Sequence, residues 1–131
     1  YHLDIAEKVL KHVGLWEKRN SLAHDLSYGQ RKLLEIARIL AQNEDGDRSI
    51  HTIFFDEPFA GLFPEMIKIV SETLHLLRTQ GKAVVLVEHN MDIIRQLSDH
   101  VIVLDSGKII ADGTPHEVLS RANVIEAYLG K

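Results

Sequence analysis

Residues 83–87 read AVVLV, and this run of consecutive apolar residues indicates the fold class. A strand with one solvent-facing side alternates apolar and polar residues, whereas a strand of a parallel sheet is apolar throughout because helices cover both of its faces. A second apolar strand, Thr52–Phe55, ends abruptly in Asp56-Glu57-Pro58. We therefore expect Ala83–Val87 to be buried on both faces within a parallel sheet that helices flank.

Segments with helical periodicity precede and follow these strands along the chain, and in them apolar residues recur every three or four positions. Ser27 lies at an N-cap position, and Pro64 lies at a first helical position. The predicted helices are Asp4–Val13, Gly29–Gln42, Pro64 to about Gln80, and Met91–Leu97. Trp16–Asp25 has a mixed pattern and is expected to be irregular. The polar segment Asn43–Ser49 is expected to be a loop, to which we assign no function.

The last third of the chain combines a hairpin with helices. Val101–Leu104 and Lys108–Ala111 have the pattern of strands, and DSG at residues 105–107 is a hairpin-turn sequence. TPHE at residues 114–117 has the spacing of a capping box with proline at the first helical position, and a last helix is expected around Val124–Leu129. This order of elements predicts a layered α/β domain with a mostly parallel sheet, a C-terminal β-hairpin and C-terminal helices.

The amino-acid composition argues against several classes of function. The chain has 131 residues, 45% hydrophobic and 26% charged, which is ordinary for a soluble globular domain. It has no cysteine, which excludes disulfides, and its histidines lack the paired spacing of zinc ligands. The net charge of −4, without a basic stripe, argues against nucleic-acid binding.

The sequence contains no membrane-spanning or targeting pattern. No segment approaches the roughly 20 apolar residues that a spanning helix needs, so we expect any membrane role to go through a partner. No basic segment followed by an apolar stretch indicates a signal peptide. The chain begins at Tyr1 rather than at a methionine, from which we expect further residues upstream.

The first motif, LSYGQ at residues 26–30, leads directly into the strongest predicted helix. A serine hydroxyl and free backbone N–H groups at a helix start, together with the positive end of the helix dipole, favour an anion such as phosphate. The alternative is that Ser27 is a plain N-cap with Gly29 beside it, and the motif alone favours that alternative.

The second motif is Asp56-Glu57, which follows a buried strand at the sheet edge where open α/β sheets bind ligands. An aspartate there can hold Mg²⁺ through its water shell, because magnesium keeps waters and takes few carboxylates. A neighbouring glutamate can polarise an attacking water. A solvated acidic pair in a turn is the alternative, and the strand that ends in Asp-Glu-Pro favours the functional interpretation.

The third motif is Glu88-His89-Asn90, directly after the AVVLV strand. A histidine at this place would lie on the same sheet edge as the acidic pair, where it can contact a phosphate or an attacking water. A single histidine is more often structural or simply exposed. The order of the three motifs, rather than any one of them, favours a nucleotide site.

In combination the motifs resemble those of the ATP-binding cassette (ABC) ATPases. LSYGQ is similar to that family's signature motif, IFFDEP at residues 53–58 to Walker B with the catalytic glutamate, and EHN at residues 88–90 to the switch-histidine motif. The resemblance covers essentially the whole chain and implies a partial P-loop NTPase-type fold. It makes residues 1–25 the end of the helical subdomain and residues 26–131 the core with the signature helix.

Within the family, LSYGQRKLLEIAR, DEPFAGL and VEHNMD resemble the group of branched-chain amino-acid importer ATPases. The same group resembles the ATPases that export lipopolysaccharide. The tyrosine of the signature motif favours the importers.

The resemblance implies a role for each matching residue. Asp56 would help to coordinate Mg²⁺ through water, Glu57 would be the general base for the hydrolytic water, and His89 would contact the γ-phosphate of ATP. Ser27 and Gly29, with Gln30 nearby, would bind the γ-phosphate of the nucleotide that the other subunit of a dimer holds.

The chain also departs from the family pattern. It contains no G-x-x-x-x-G-K-[S/T], so the phosphate-cradling Walker A loop is absent from it. The adenine-stacking aromatic residue and the Q-loop glutamine upstream are absent as well. Phe63 stands in the D-loop where the family commonly has a polar residue. We therefore expect this chain alone to bind ATP weakly and to hydrolyse it negligibly.

The function that the resemblance implies is that of an ATP-binding and ATP-hydrolysing subunit of an ABC transporter, an amino-acid importer. Its expected partners are a second ATPase subunit and transmembrane permease subunits, and its expected place is the cytoplasmic face of the cell membrane. A non-catalytic dimerisation or docking module is the alternative from another class. A lipopolysaccharide-export ATPase is the alternative within the family. The negative net charge argues against a third possibility, a non-transport member of the family that acts on DNA or ribosomes.

Overall fold

The structure, a computed structural model, describes residues 2–44 and 50–129. These residues form two compact units that divide after Val87. Residues 45–49 of the predicted loop Asn43–Ser49 lie outside the described residues. The expected subdomain boundary after residue 25 does not coincide with the division into units and stays a prediction.

The described residues of the first unit form three α-helices and two strands. In chain order they are α1 (His2–His12), α2 (Tyr28–Glu44), β1 (Thr52–Asp56), α3 (Pro64–Thr79) and β2 (Ala83–Val87). These bounds agree with the sequence prediction to within a few residues at each end. The segment predicted to be irregular contains two short 3₁₀ helices, Trp16–Lys18 and Ala23–Asp25, which the sequence prediction missed.

Strands β1 and β2 pair in parallel, with Thr52 opposite Ala83 and Asp56 opposite Val87. The parallel pairing confirms the α/β prediction. Only one face of β1 is buried, because Ile53 and Phe55 are inside whereas Phe54 is 72% exposed.

The expectation that β2 is buried on both faces is wrong for the described residues. Its side chains alternate between exposed and half-buried, and Val87 is 56% exposed. Consecutive apolar residues show that a strand is suited to burial on both faces, but the described residues cover β2 on one face only. The exposed face is continuous across the pair, because Phe54 lies opposite Val85 in the register.

The helices of the first unit bury one face each. The predicted inner face of α2 is confirmed by four buried side chains: Leu33, Ile36, Ala37 and Leu40. On α3, Val70, Leu74 and Leu77 are buried in the same way. The fully buried hydroxyl of Thr73 is hydrogen-bonded to the ring of His12 at 2.9 Å and donates to the Ile69 carbonyl, so its burial leaves no polar atom unsatisfied.

The second unit contains the predicted hairpin. Its elements are α4 (Met91–Leu97), β3 (Val101–Asp105), β4 (Lys108–Gly113), α5 (Pro115–Leu119) and α6 (Ala122–Leu129). Strands β3 and β4 are antiparallel and are joined by the two-residue turn Ser106-Gly107, which confirms the hairpin signal. Their inner residues Val101, Val103 and Ala111 pack with Val118 of α5 and Val124 of α6 in the core of this unit.

The capping box of α5 is also confirmed. The Thr114 hydroxyl accepts a hydrogen bond from the Glu117 N–H, and the Glu117 carboxylate accepts one from the Thr114 N–H. Two of the backbone donors that a helix start leaves without partners are satisfied in this way. None of the helices in residues 2–44 and 50–129 has both the length and the apolar character that crossing a membrane requires.

Candidate functional site

Asp56 is the last residue of β1, and its exposed side chain lies at the carboxyl end of the parallel strand pair. The next residue, Glu57, donates its backbone N–H to the Val87 carbonyl at 2.9 Å. This bond ties the ends of β1 and β2 together. The two predicted carboxylates therefore lie at the sheet edge where the sequence placed them, and where open α/β sheets bind ligands.

The backbone of Glu57 is in the left-handed region, with a φ of 45°. This conformation costs a residue with a side chain on the order of 1–3 kcal/mol and persists only where the surroundings impose it. The Glu57 carbonyl accepts hydrogen bonds from the Ala60 N–H at 3.3 Å and from Lys32 Nζ at 2.6 Å. Residues in such strained backbone conformations concentrate at functional sites, which favours a functional role for Glu57.

A shallow pocket of about 150 Å³ lies beside this strand end, and Lys32, Glu35, Phe54, Asp56 and Pro58 are among its lining residues. The exposed carboxylate of Asp56 fits Mg²⁺, since that ion keeps several waters and takes one or two protein carboxylates. Lys32, together with Glu35 and Asp56, gives the lining of this pocket both positive and negative charge.

The start of α2 is a reciprocal cap. Ser27 Oγ accepts the Gln30 N–H at 3.3 Å, and Gln30 Oε1 accepts the Ser27 N–H at 3.0 Å. The N-cap prediction for Ser27 is confirmed in that sense. The sequence prediction missed the hydrogen bond from the Ser27 N–H to the Gln30 amide, although the spacing S-x-x-Q is typical of such a capping box.

Gly29 lies close against side chains of α3 and of the segment before it. A Cβ added there would lie 2.5 Å from the sulfur of Met66 and 3.5 Å from Leu62. The neighbouring Tyr28 packs against Gly61, where an added Cβ would lie 3.1 Å from the ring. The start of α2 therefore rests on the segment that follows Glu57, and the signature-like residues lie in the same unit as the acidic pair.

His89 belongs to the second unit, and its side chain is exposed. Its backbone N–H donates to the carboxylate of Glu88 at 3.2 Å. Asn90 caps α4 by accepting the N–H groups of Asp92 and Ile93. The structure brings Asp56, Glu57 and the start of α2 together within the first unit and places His89 in the other.

Lys32 is the site residue that the sequence analysis missed. In the sequence it is only one of the charged residues outside the apolar stripe of α2. Its contact with Glu57 joins residues 25 positions apart, so no local pattern could indicate it.

Comparisons with known proteins show which proteins this chain is similar to. A family profile described as "Branched-chain amino acid ATP-binding cassette transporter" matches residues 108–131. The arginine transport ATP-binding protein ArtM of Bacillus subtilis is 41% identical over 112 residues, which are 86% of this chain and 44% of that protein. The high-affinity branched-chain amino acid transport ATP-binding protein LivG of Salmonella typhimurium is 36% identical over 130 residues, 98% of this chain and 49% of that protein.

A solved structure is similar along nearly the whole chain. It is the crystal structure of an ATP-binding cassette of an ABC transporter in its ADP conformation, with a TM-score of 0.79 and 33% sequence identity. The similarity covers 99% of this chain and 50% of that one, and it confirms the predicted P-loop NTPase-type fold. The chain spans about half the length of the curated relatives it matches.

Proposed function

Since the chain is a C-terminal part of an ABC ATPase, close to the branched-chain amino-acid importer group, we propose that the protein containing it binds and hydrolyses ATP as a subunit of an amino-acid transporter. The observation that carries this proposal is the strand end at Asp56-Glu57. A strand that is buried on one face ends in two carboxylates at a ligand-binding edge, and bonds from other elements help to hold the second in a strained backbone conformation.

In the proposed mechanism, Asp56 would hold Mg²⁺ through water and Glu57 would take the proton of the attacking water. ATP and Mg²⁺ would supply the phosphoryl group and the charge neutralisation when bound. His89, two residues beyond β2, would contact the γ-phosphate. Phosphoryl transfer depends mainly on positioning and charge stabilisation, so a fixed Glu57 backbone supports this assignment.

The start of α2 would serve a second nucleotide. Ser27 and Gly29, with Gln30 beside them, would bind the γ-phosphate held by the other subunit of a dimer. The exposed Ser27 at the start of a 17-residue helix supports this, because helix starts favour anions. The partners would then be a second ATPase subunit and transmembrane permease subunits, on the cytoplasmic face of the membrane. This chain alone, without a phosphate loop, would bind ATP weakly.

The test is the variant Glu57→Gln in the full-length protein. Removal of a general base should lower ATP hydrolysis by about a hundredfold or more, while ATP binding measured by calorimetry stays close to that of the wild type. Glu72→Gln is the matched control, because Glu72 is an exposed residue of α3 paired only loosely with Lys68 at 3.8 Å.

Wild-type hydrolysis in Glu57→Gln would remove this residue from the proposed role. Equal losses in Glu57→Gln and Glu72→Gln would show a general effect of removing carboxylates rather than a catalytic one.

A non-catalytic docking module is the second candidate. It is favoured by the exposed apolar face of the strand pair, where Phe54, Val85 and Val87 are accessible. This candidate predicts that the wild-type full-length protein does not turn over ATP at all, so the same assay separates the two functions.

A further inference from the structure

We infer that Lys32 is a positioning residue for Glu57, and that it fixes the backbone from which the catalytic carboxylate extends. The inference rests on the proposed function, because it gives Glu57 the role of general base. It concerns a residue to which neither the motifs nor the comparisons assign a role.

The contact is short and involves a full charge. Lys32 Nζ donates to the Glu57 carbonyl at 2.6 Å, whereas the second donor to that carbonyl, the Ala60 N–H, is at 3.3 Å. Hydrogen bonds from a charged donor are shorter and stronger than those between neutral groups. Of the two bonds to this carbonyl, the one from Lys32 is therefore the stronger.

Glu57 is held from both sides by this arrangement. Its N–H donates to the Val87 carbonyl at 2.9 Å, and its carbonyl accepts from Lys32 on a different element. The residue between these two bonds has the left-handed φ of 45°. A conformation that the residue does not prefer must be imposed by its surroundings, and Lys32 supplies the part of the constraint that comes from α2.

The side chain of Lys32 is itself held in place. Its ammonium lies 5.5 Å from the centroid of the Tyr28 ring, within the range of a cation–π contact. The same ring packs against Gly61, four residues after Glu57. The ammonium and the ring thus contact both ends of the turn that Glu57 begins.

The experiment compares Lys32→Met with Lys32→Arg in the full-length protein, because methionine keeps the apolar stem and arginine keeps a charged donor. We expect Lys32→Met to lower kcat for ATP hydrolysis by about tenfold or more, with KM within about twofold, since misplacement of a catalytic group acts on the chemical step. Lys32→Arg should recover most of the rate. Lys68→Met is the control, because Lys68 is an exposed lysine of α3.

The outcomes separate this inference from the proposed function. Wild-type kcat in Lys32→Met, with Glu57→Gln inactive, would overturn the role of Lys32 and leave the function standing. Full hydrolysis in Glu57→Gln would instead overturn the role of Glu57 as general base, and with it the premise of this inference. A loss of kcat that Lys32→Arg shares, accompanied by a lower melting temperature in both variants, would make Lys32 purely structural and overturn the inference.

Discussion

Two residues other than glycine have a left-handed backbone in the described part of the chain, Glu57 and Ser106. Their φ values are nearly equal, 45° and 49°. Ser106 begins the two-residue turn between β3 and β4, and Gly107 after it has a φ of 76°. Tight hairpins of this kind require positive φ at both central residues, so the turn alone accounts for Ser106.

Glu57 begins a turn, in which its carbonyl accepts the Ala60 N–H at 3.3 Å, and it also has partners on other elements. It follows a strand that does not turn back on itself, and its conformation is held by the Val87 carbonyl and by Lys32. The same left-handed backbone conformation therefore occurs in two settings, a hairpin turn and a strand end that other elements contact. At Ser106 the hairpin turn imposes this conformation, which is part of the fold. At Glu57, bonds from distant elements contribute to it, which supports the proposed role of this residue.

The largest expected difference comes from placing glycine at each of these two positions. Glu57→Gly relieves the strain but removes the carboxylate, so ATP hydrolysis by the full-length protein should fall by about a hundredfold or more. Its unfolding free energy should change by no more than about 1 kcal/mol, because relief of strain and the added chain entropy oppose each other. Ser106→Gly should leave the hydrolysis rate unchanged.

Paired rate assays and thermal melts of the two glycine variants provide the measurement. Similar rates in Glu57→Gly and Ser106→Gly would contradict the division between functional and structural strain. A large loss of stability in Glu57→Gly alone would show that its backbone serves the fold.

The two capping boxes are expected to differ by a smaller effect, which is the dependence of their stability on pH. The box at α2 uses the amide of Gln30, which does not titrate, whereas the box at α5 uses the carboxylate of Glu117. The hydrogen bond from the Thr114 hydroxyl, then the bond from its backbone N–H, and then the charges of Arg121 and His116 hold the pKa of Glu117 below its ordinary value of 4.5.

Because this pKa is lower in the folded protein, the carboxylate stabilises the fold above pH 4.5, and this contribution is lost as the pH falls through the lowered pKa. An NMR titration should show Thr114→Val moving the Glu117 pKa back toward its ordinary value. An unchanged pKa in that variant would contradict the assigned cause.

Local features of this molecule could be predicted from the sequence. The hairpin at residues 105–107 and the Thr114 cap depend on residues within four positions of one another, so their patterns are visible along the chain. The acidic pair at Asp56-Glu57 could also be placed, because a strand end and the sheet edge coincide in an α/β fold.

Features that depend on distant contacts could not be predicted. The apolar run Ala83–Val87 indicates a strand suited to burial on both faces, but not which segment covers each face, and one face is exposed. The contact of Lys32 with the Glu57 carbonyl joins α2 to the residue after β1, 25 positions away in the chain. The packing of Gly29 against Met66 likewise joins residues far apart in the chain.

The central claim is that Glu57 serves one nucleotide site while Ser27 serves the other, across a dimer. The direct test is the ATPase rate of a purified heterodimer of the full-length protein with Glu57→Gln in one subunit and Ser27→Arg in the other. Each variant homodimer should be nearly inactive. The heterodimer keeps one intact site, so the account predicts about half of the wild-type rate. A heterodimer as inactive as the two homodimers would contradict the account.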